Sequence, residues 1–525
     1  MDRRTGEFLT MEAPQLLTPA TGSRIVRDQA EVILFAQPPE VIKGLLREGI
    51  NHFDTLVLSD LKEKNGSLMN NLEFLLYFFY FISGHSPEQR KINLVGDENS
   101  ISQALRLLRL ALNGPTSAEF DQWHTPRAQK KEWLAVSNFL GIKDKAGNTF
   151  AIEDLFNRIP FVNGQAVAGI FTIEHSGIDQ YRVSSPQGEV FVDLNLDQEI
   201  SPPYPVAIDA APTGLTKMGF EVLGGASGFS IDEPCTGLAL CYNGDYILID
   251  SIPFLNHHLY ARGIAKNQVS AVFLTHLHDD HCSMFPLIDM PHRLEIITTE
   301  QIYRMAIEKL SCSLGWSKSV IEAYFIHIEV KPGESIDYYG LTIDVHTTVH
   351  SVPTIGATFS TTHLGQYRDA CVVGDNQTMR GIRDMVAEGV VRRSTLTRLE
   401  TLYTRKFNLL IADGGGGAIH GDPRDSLQSK SERVVFVHVD ALPEALKSTF
   451  SLASAGKRYN LFDGDCASIY AAQITHYLTR WLGQPLADRW MRHLLAEHEL
   501  GRYNRDDVII VQDSNSQGSV YLILT

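Results

Sequence analysis

Along most of the chain, short strand-like apolar runs alternate with stretches whose apolar positions recur every three or four residues. Between residues 30 and 115 the order is EVILFAQ (31–37), VIKGLLREGI (41–50), DTLVLSD (54–60), NLEFLLYFFYFI (71–82), KINLVGD (91–97) and SISQALRLLRLAL (100–112). Strand and helix patterns in alternation predict α/β layers. Residues 116–165 are polar and mixed, with helical pieces, and SSPQGEVFVDLN (184–195) reads as a hairpin arm. SPPYP (201–205) is the best linker candidate. A second α/β block starts near Met218, where FEVLGG is a strand running into a glycine turn. In TGLALCYNGDYILIDS, Asn243-Gly244 joins two strands as a hairpin. AVFLTH, LTIDVHTTVHS, ACVVGDN, NLLIADGGGG and VVFVHVD follow, each an apolar strand ending in polar residues. The expected organisation is an N-terminal α/β domain over 1–210, a second domain over 211–465 and a C-terminal helical segment over 466–525.

The two blocks align. EVILFAQPPEVIKGLLREGI (31–50) lies over DYILIDSIPFLNHHLYARGI (245–264) without a gap, and DTLVLSDLKEKN (54–65) over SAVFLTHLHDDH (270–281). Asp60, Lys62, Lys64 and Asn65 then stand where the later block has His276, His278, Asp280 and His281. The first block reads as a degenerate copy. Two lysine ammoniums in it would repel a divalent cation, so it is expected to hold no metal.

Composition narrows the class. The chain has 525 residues, 44% hydrophobic and 21% charged, which is globular and not disordered or coiled-coil. A net charge of −16 argues against a nucleic-acid surface or an anionic membrane as partner. The six cysteines form no CxxC pair and read as reduced thiols. MDRRTGEFLTMEAPQ lacks the apolar stretch of a secretory signal, so a cytoplasmic location is expected. Phe74 to Ile82, FLLYFFYFI, is too short for a membrane helix and is expected to be a buried one.

The chemistry gathers at T-H-L-H-D-D-H, residues 275–281, directly after an apolar strand. Three histidines and an aspartate within six positions suit a borderline divalent metal. This motif resembles the HxHxDH signature of the metallo-β-lactamase superfamily, matched by His276, His278, Asp280 and His281. His350 in TTVHS, Asp375 in CVVGDN, His438 in VVFVHVD and Asp250 in YILIDS follow the family's remaining motifs. The resemblance implies a metallo-β-lactamase αβ/βα sandwich with two divalent ions, zinc, iron or manganese. His276, His278 and His350 would hold one ion, Asp280, His281 and His438 the other, with Asp375 between them and a bridging hydroxide as nucleophile. The glycine-rich opening LGGASGFSIDEPCTGLAL (223–240) resembles the phosphodiesterase branch, which includes RNase Z and cyclic-nucleotide phosphodiesterases.

ADGGGGAIHGDP (412–423) resembles a second loop of that branch. There Gly415 and Gly416 would present backbone donors to a phosphate, and His420 would protonate the leaving oxygen or bind a phosphate oxygen. His420 also competes with His438 as the last ligand; VVFVH, a strand ending in histidine, favours His438. Asp280 and His420 are the catalytic candidates. Cys282, after the motif, lies near enough to count as either a metal neighbour or a buried thiol. The expected activity is metal-dependent hydrolysis of a small phosphodiester, a cyclic nucleotide among the candidates, with homodimerisation open. Thioester or lactone hydrolysis by the same fold, and a di-iron oxygen or signal sensor, are the alternatives.

RYNRDDVIIVQDSNSQGSVYLILT (502–525) resembles the first strands of a cyclic-nucleotide-binding domain, but the cassette that grips the cyclic phosphate is not in this sequence. The 525-residue chain is therefore expected not to bind cyclic nucleotide through this segment. Calorimetry on the chain and on a version ending at about Leu500 checks this. Binding lost on that truncation would overturn the expectation.

Overall fold

The computed structural model describes residues 14–208, 216–363, 365–417, 419–462 and 471–484, together with 487, 490, 491 and 494. The segment 502–525 lies outside the described residues, as does most of 466–525.

In the first half, β1 (Gln15–Leu17), β2 (Arg24–Asp28), β3 (Glu31–Phe35), β4 (Thr55–Val57), β5 (Ile92–Gly96) and β6 (Phe156–Pro160) form a six-stranded sheet in chain order. Strands β3 to β6 run parallel. On one face lie α1 (Val41–Arg47), α2 (Glu73–Tyr77) and α3 (Glu98–Asn113), sharing a core with Val32 and Leu34. On the other, Ile33 and Phe35 meet Tyr181 and Val183 of an antiparallel sheet. That sheet is β7 (Gln165–Ala168), β8 (Phe171–Gly177), β9 (Gln180–Ser185) and β10 (Gly188–Asp193). A strand covered on both faces needs no polar alternation, which is why EVILF is nearly all apolar. The run at 74–82 departs from a plain buried helix. After α2 it becomes a π-helical turn, Phe78–Ile82, and Phe81 and Ile82 are exposed. Helix α4 (Arg127–Leu140) lies in the mixed stretch between β5 and β6.

The second half is the expected sandwich. Its strands are β11 (Met218–Gly224), β12 (Gly237–Tyr242), β13 (Asp245–Ile249), β14 (Val269–Phe273), β15 (Leu294–Thr298), β16 (Phe325–Glu329), β17 (Ser335–Tyr338), β18 (Leu341–Thr347), β19 (Ile355–His363), β20 (Gln366–Val372), β21 (Leu409–Asp413), β22 (Val434–Val437), β23 (Ser451–Leu452) and β24 (Arg458–Asn460). They make two seven-stranded sheets, ordered β16-β15-β14-β13-β12-β11-β24 and β17-β18-β19-β20-β21-β22-β23. Phe359 of β19 meets Phe220 of β11 and Phe273 of β14 between them, at centroid distances of 6.2 and 5.5 Å. Helices α5 (Leu255–Ala261) and α6 (Glu300–Leu314) belong with the first sheet; α7 (Met379–Ala387) and α8 (Arg393–Thr404) cover the second.

The halves share their registers residue for residue. β2 pairs with β3 from Arg24↔Phe35 to Asp28↔Glu31, and β12 with β13 from Leu238↔Ile249 to Tyr242↔Asp245. Ile33↔Thr55, Leu34↔Leu56 and Phe35↔Val57 answer to Ile247↔Ala271, Leu248↔Val272 and Ile249↔Phe273. The left-handed corners match too: Gln29, Ala36 and Glu40 (φ 54°, 53°, 56°) against Asn243, Asp250 and Phe254 (φ 52°, 66°, 55°). One expected correspondence is displaced. The amide of Ser251 bonds to the His281 carbonyl (2.8 Å), and the equivalent Gln37 amide bonds to Met69 (2.7 Å). Met69, not Asn65, therefore stands at the place of His281. The first-half loop is lengthened by a small hairpin, Glu63–Lys64 against Ser67–Leu68, which an ungapped alignment cannot see.

Around Asp60 the polar groups satisfy one another. Asp179 accepts from the Ser59 hydroxyl (2.9 Å) and the Asp60 amide (2.7 Å), and Asp60 pairs with His175 (2.7 Å). Lys62 and Lys64 bond to Gln103 and the Leu194 carbonyl. Among the described residues, no cluster of three ligating groups falls in the first half.

The halves are tied by a buried polar knot. Glu40 Oε1 takes the Lys43 ammonium (2.6 Å) and the Cys235 thiol (2.8 Å); Oε2 takes the Tyr204 hydroxyl (2.5 Å). Lys43 also donates to the Glu233 carbonyl at 2.6 Å. Tyr204 comes from the Pro-rich segment, so that stretch is anchored and not a free linker. Glu40→Ala should destabilise the chain by about 3–5 kcal/mol, because Lys43 would keep a buried charge without its counter-charge. Adding Lys43→Met should restore most of that loss in chemical denaturation. A single variant within error of the parent would refute the account.

Candidate metal centre

Each candidate ligand sits just beyond a strand end. His276, His278, Asp280 and His281 follow β14; His350 follows β18, Asp375 β20 and His438 β22. Asp250 follows β13, and both it and His438 hold left-handed backbone (φ 66° and 63°). Non-glycine residues rarely adopt that conformation, and here it turns their side chains at strand ends.

All seven expected donors converge. Nδ1 of His278 lies 3.2 Å from His276 Nε2 and 3.0 Å from His350 Nε2. Nε2 of His281 lies 3.0 Å from His438 Nε2 and 3.5 Å from Asp280 Oδ2. Asp375 stands between the sets. Its Oδ2 is 3.7 Å from both His276 and His350, and its Oδ1 is 3.5 Å from His281 and 3.1 Å from His438. The groups His276/His278/His350 and Asp280/His281/His438 are each close enough to hold one ion.

The donor chemistry fits a divalent metal. Burial pushes His276 and His278 well below the usual imidazole range and His350 to about 4, so this triad is neutral near pH 7 and offers lone pairs. Burial disfavours a charge on Asp375, but His281, His438 and His276 outweigh it and hold the carboxyl well below its ordinary value. Burial likewise opposes a proton on His281, and Asp375, Asp280 and Asp250 overcome it, placing the ring well above the usual range. The far ring nitrogens are engaged, which turns the near ones inward. His281 Nδ1 donates to Asp250 (2.6 Å) and His350 Nδ1 to the Ile419 carbonyl (3.0 Å). His276 Nδ1 lies 2.9 Å from the Thr275 hydroxyl, and His278 Nε2 donates to the Ala111 carbonyl (3.2 Å). Asp250 also accepts from the Thr275 amide (2.7 Å).

His420 lies beside these sets. Its Nδ1 donates to Asp413 at 2.9 Å, and its ring stacks on His438 at 4.8 Å. Its side chain is 23% exposed, against 2% for His438. His420 also falls with Asp375 and His438 in a group close enough to hold an ion, but it is the more exposed of the two histidines and its Nδ1 is engaged by Asp413, which leaves it at the mouth. Burial opposes the charged form of His420, but Asp413 raises it to about 9.

Gly415 and Gly416 do not offer free donors. The Gly415 amide bonds to Asp413 Oδ1 (2.9 Å) and the Gly416 amide to the Gly421 carbonyl (2.8 Å). Gly415 instead permits close approach, because a Cβ there would meet His420 and His438 at 3.0 and 3.1 Å. Cys282 is a buried thiol pushed up to about 12 by burial and is absent from every ligating group.

Sequence reasoning missed the supporting residues. Lys309 is buried in α6, pairs with Asp279 (2.7 Å) and donates to the Leu277 carbonyl (2.6 Å), fixing the motif's backbone. A lysine inside an apolar helix face was its one visible signal. Tyr77, Ala111 and Ser351 around His278 carried none.

The family model for the anti-Pycsar protein Apyc1 matches residues 218–375. A cAMP/cGMP-dependent 3',5'-cAMP/cGMP phosphodiesterase B of Dictyostelium discoideum is 23% identical over 247 residues, 46% of this chain and 22% of that protein. A cGMP-dependent 3',5'-cGMP phosphodiesterase A of the same organism is 24% identical over 253 residues, 46% of this chain and 28% of that one. The chain thus spans about a quarter of the length of the curated relatives it matches. Similar solved structures have the metallo-β-lactamase fold. They include human short-form tRNase Z (17% identity, TM-score 0.34, 47% of this chain and all of that one) and a diphosphatase of the PhnP family (14%, 0.34, 46% and 96%). The long-form RNase Z of yeast covers 85% of this chain and 71% of its own, at 10% identity and TM-score 0.35.

The unequal charge of the two donor sets has a measurable consequence. At pH 7 the His276/His278/His350 triad needs to lose no proton, whereas His281 must release one to become a ligand. Zinc titration of the apoprotein in buffers of different ionisation enthalpy should show about one proton released per chain, with affinity at the second set rising with pH. Release unchanged in His281→Ala would contradict this.

Proposed function

We propose that this chain is a metal-dependent phosphodiesterase that works with two divalent ions and takes a small phosphodiester, most readily a cyclic nucleotide, in the cytoplasm. The observation that carries the reading is the position of Asp375, with one oxygen toward each donor set. The matched phosphodiesterases support the substrate class. Among the described residues no helix is long and apolar enough to cross a membrane.

Divalent ions held by these seven residues would act as Lewis acids on the phosphate and supply a nucleophile at neutral pH. The chain's own part is to position and to move protons. Asp280 and Asp375 bring carboxylate charge to the centre and keep His281 oriented toward it. Asp413 holds His420 protonated at the exposed side, where His420 gives its proton to the departing oxygen. The first half is proposed to be a degenerate copy, on the strength of its shared registers and corners, and to bind no metal itself.

His420→Ala should lower kcat on a nucleoside 3',5'-cyclic phosphate by about 10²–10⁴-fold. Bis(p-nitrophenyl) phosphate, whose leaving group departs without a proton, should be far less affected, and metal content should not change. In the parent, cyclic-nucleotide turnover should fall as pH rises through the range where His420 loses its proton. An equal loss on both substrates would remove the acid role. No turnover of either by metal-loaded enzyme would refute the function.

A further inference from the structure

The ligand histidines are not all supported alike. His276, His281 and His350 turn their far nitrogens to Thr275, Asp250 and the Ile419 carbonyl, all in the second half. His278 turns its own to the first half. Its Nε2 lies 3.2 Å from the Ala111 carbonyl and 3.4 Å from the Tyr77 hydroxyl, with the Ser351 hydroxyl at 3.2 Å. Ser351 is itself held from α4, since Ser137 donates to its carbonyl at 2.7 Å.

Ala111 lies in the last turn of α3, whose final carbonyls have no partner within the helix. The residue four positions on is Pro115, which has no N–H to give, and Gly114 ends the helix with φ 67°. The Gly-Pro pair thus exposes this carbonyl. A carbonyl oxygen only accepts, so the bond to Ala111 requires the His278 proton on Nε2, with the two hydroxyls free to accept or to point elsewhere. Nδ1 is then the ligand atom, and it is the atom facing His276 and His350. The negative end of the α3 dipole also favours a donor there.

We propose that the C-terminus of α3 is a positioning element of the metal centre. It selects the His278 tautomer and holds the ring, so the half without a metal site completes the site of the other half. This rests on the reading of His276, His278 and His350 as a metal-binding set.

The test uses the full chain and zinc competed against a chromophoric chelator. Gly114→Ala with Pro115→Ala lets α3 continue and engages the Ala111 carbonyl within the helix. Affinity at the His278 set should fall about 10–100-fold, with the second set spared. A slowly exchanging His278 Nε2–H signal, present in nitrogen-15 spectra of the zinc form, should disappear. Arg106→Ala breaks the Arg106–Glu308 pair across the same contact of α3 with α6 and should leave affinity unchanged. If the double variant does not fold, Pro115→Ala alone, which restores an N–H four residues after Ala111, decides. Several-fold weaker zinc supports the proposal, and unchanged affinity overturns it. Unchanged affinity in a folded double variant, an equal loss in Arg106→Ala, or coordination of His278 through Nε2 also overturns it. A parent chain that binds no zinc would instead defeat the reading of the metal set.

Discussion

The centre depends on keeping one carboxylate, Asp375, charged where water cannot reach it. It is 2% exposed and touches imidazoles of both donor sets. An isolated charge at that depth would cost far more than the fold can spare. The surrounding side chains are arranged around that cost. His281 tends to take up a positive charge and is braced by Asp250, while the His276 set stays neutral. Two donor sets of unequal charge thus share one anion.

Much of this was legible in the sequence because ligands at strand ends keep local signatures. The HLHDDH run, the VHS, VVGDN and VFVHV strand ends and the Asn243-Gly244 hairpin are short-range patterns, and the structure brings their residues together. What was not legible is of three kinds. The small hairpin at 63–68 shifts the first-half loop so that Met69 takes the place of His281, and no local pattern announces it. The amides of Gly415 and Gly416 look available in a glycine-rich loop, yet Asp413 and Gly421 claim them. Long-range partners of the ligands, such as Ala111, act through backbone atoms, which carry no side-chain signature.

The Pro-rich segment shows how composition can mislead. SPPYP has the look of a loose tether, but Tyr204 within it is buried and bonds to Glu40 and near His258. Prolines limit the chain's freedom before folding, so anchoring a tyrosine between them costs little further entropy. The segment joins the halves by fixing them. The same knot engages Cys235, and Phe229 of the glycine-rich loop 223–229 packs on Phe74 of the first half at 5.4 Å.

The first half also separates frame from ligands. Its registers and left-handed corners follow those of the second half even though Asp60 and Met69 stand at the places of His276 and His281. Its antiparallel sheet ends at β10, whereas β20 continues into the parallel strands that present Asp413 and His438. Strand pairing here is set by apolar side chains packed on both faces, such as Ile33, Leu34 and Phe35, and by corners that fix where each strand turns. None of those features uses a ligand. The same frame therefore carries a self-satisfied set of Ser59, Asp60, His175 and Asp179 at its strand ends in one half and the His/Asp donor sets in the other. The two halves are not independent, however, because Tyr77 of α2 and the Ala111 carbonyl of α3 lie against His278 of the motif.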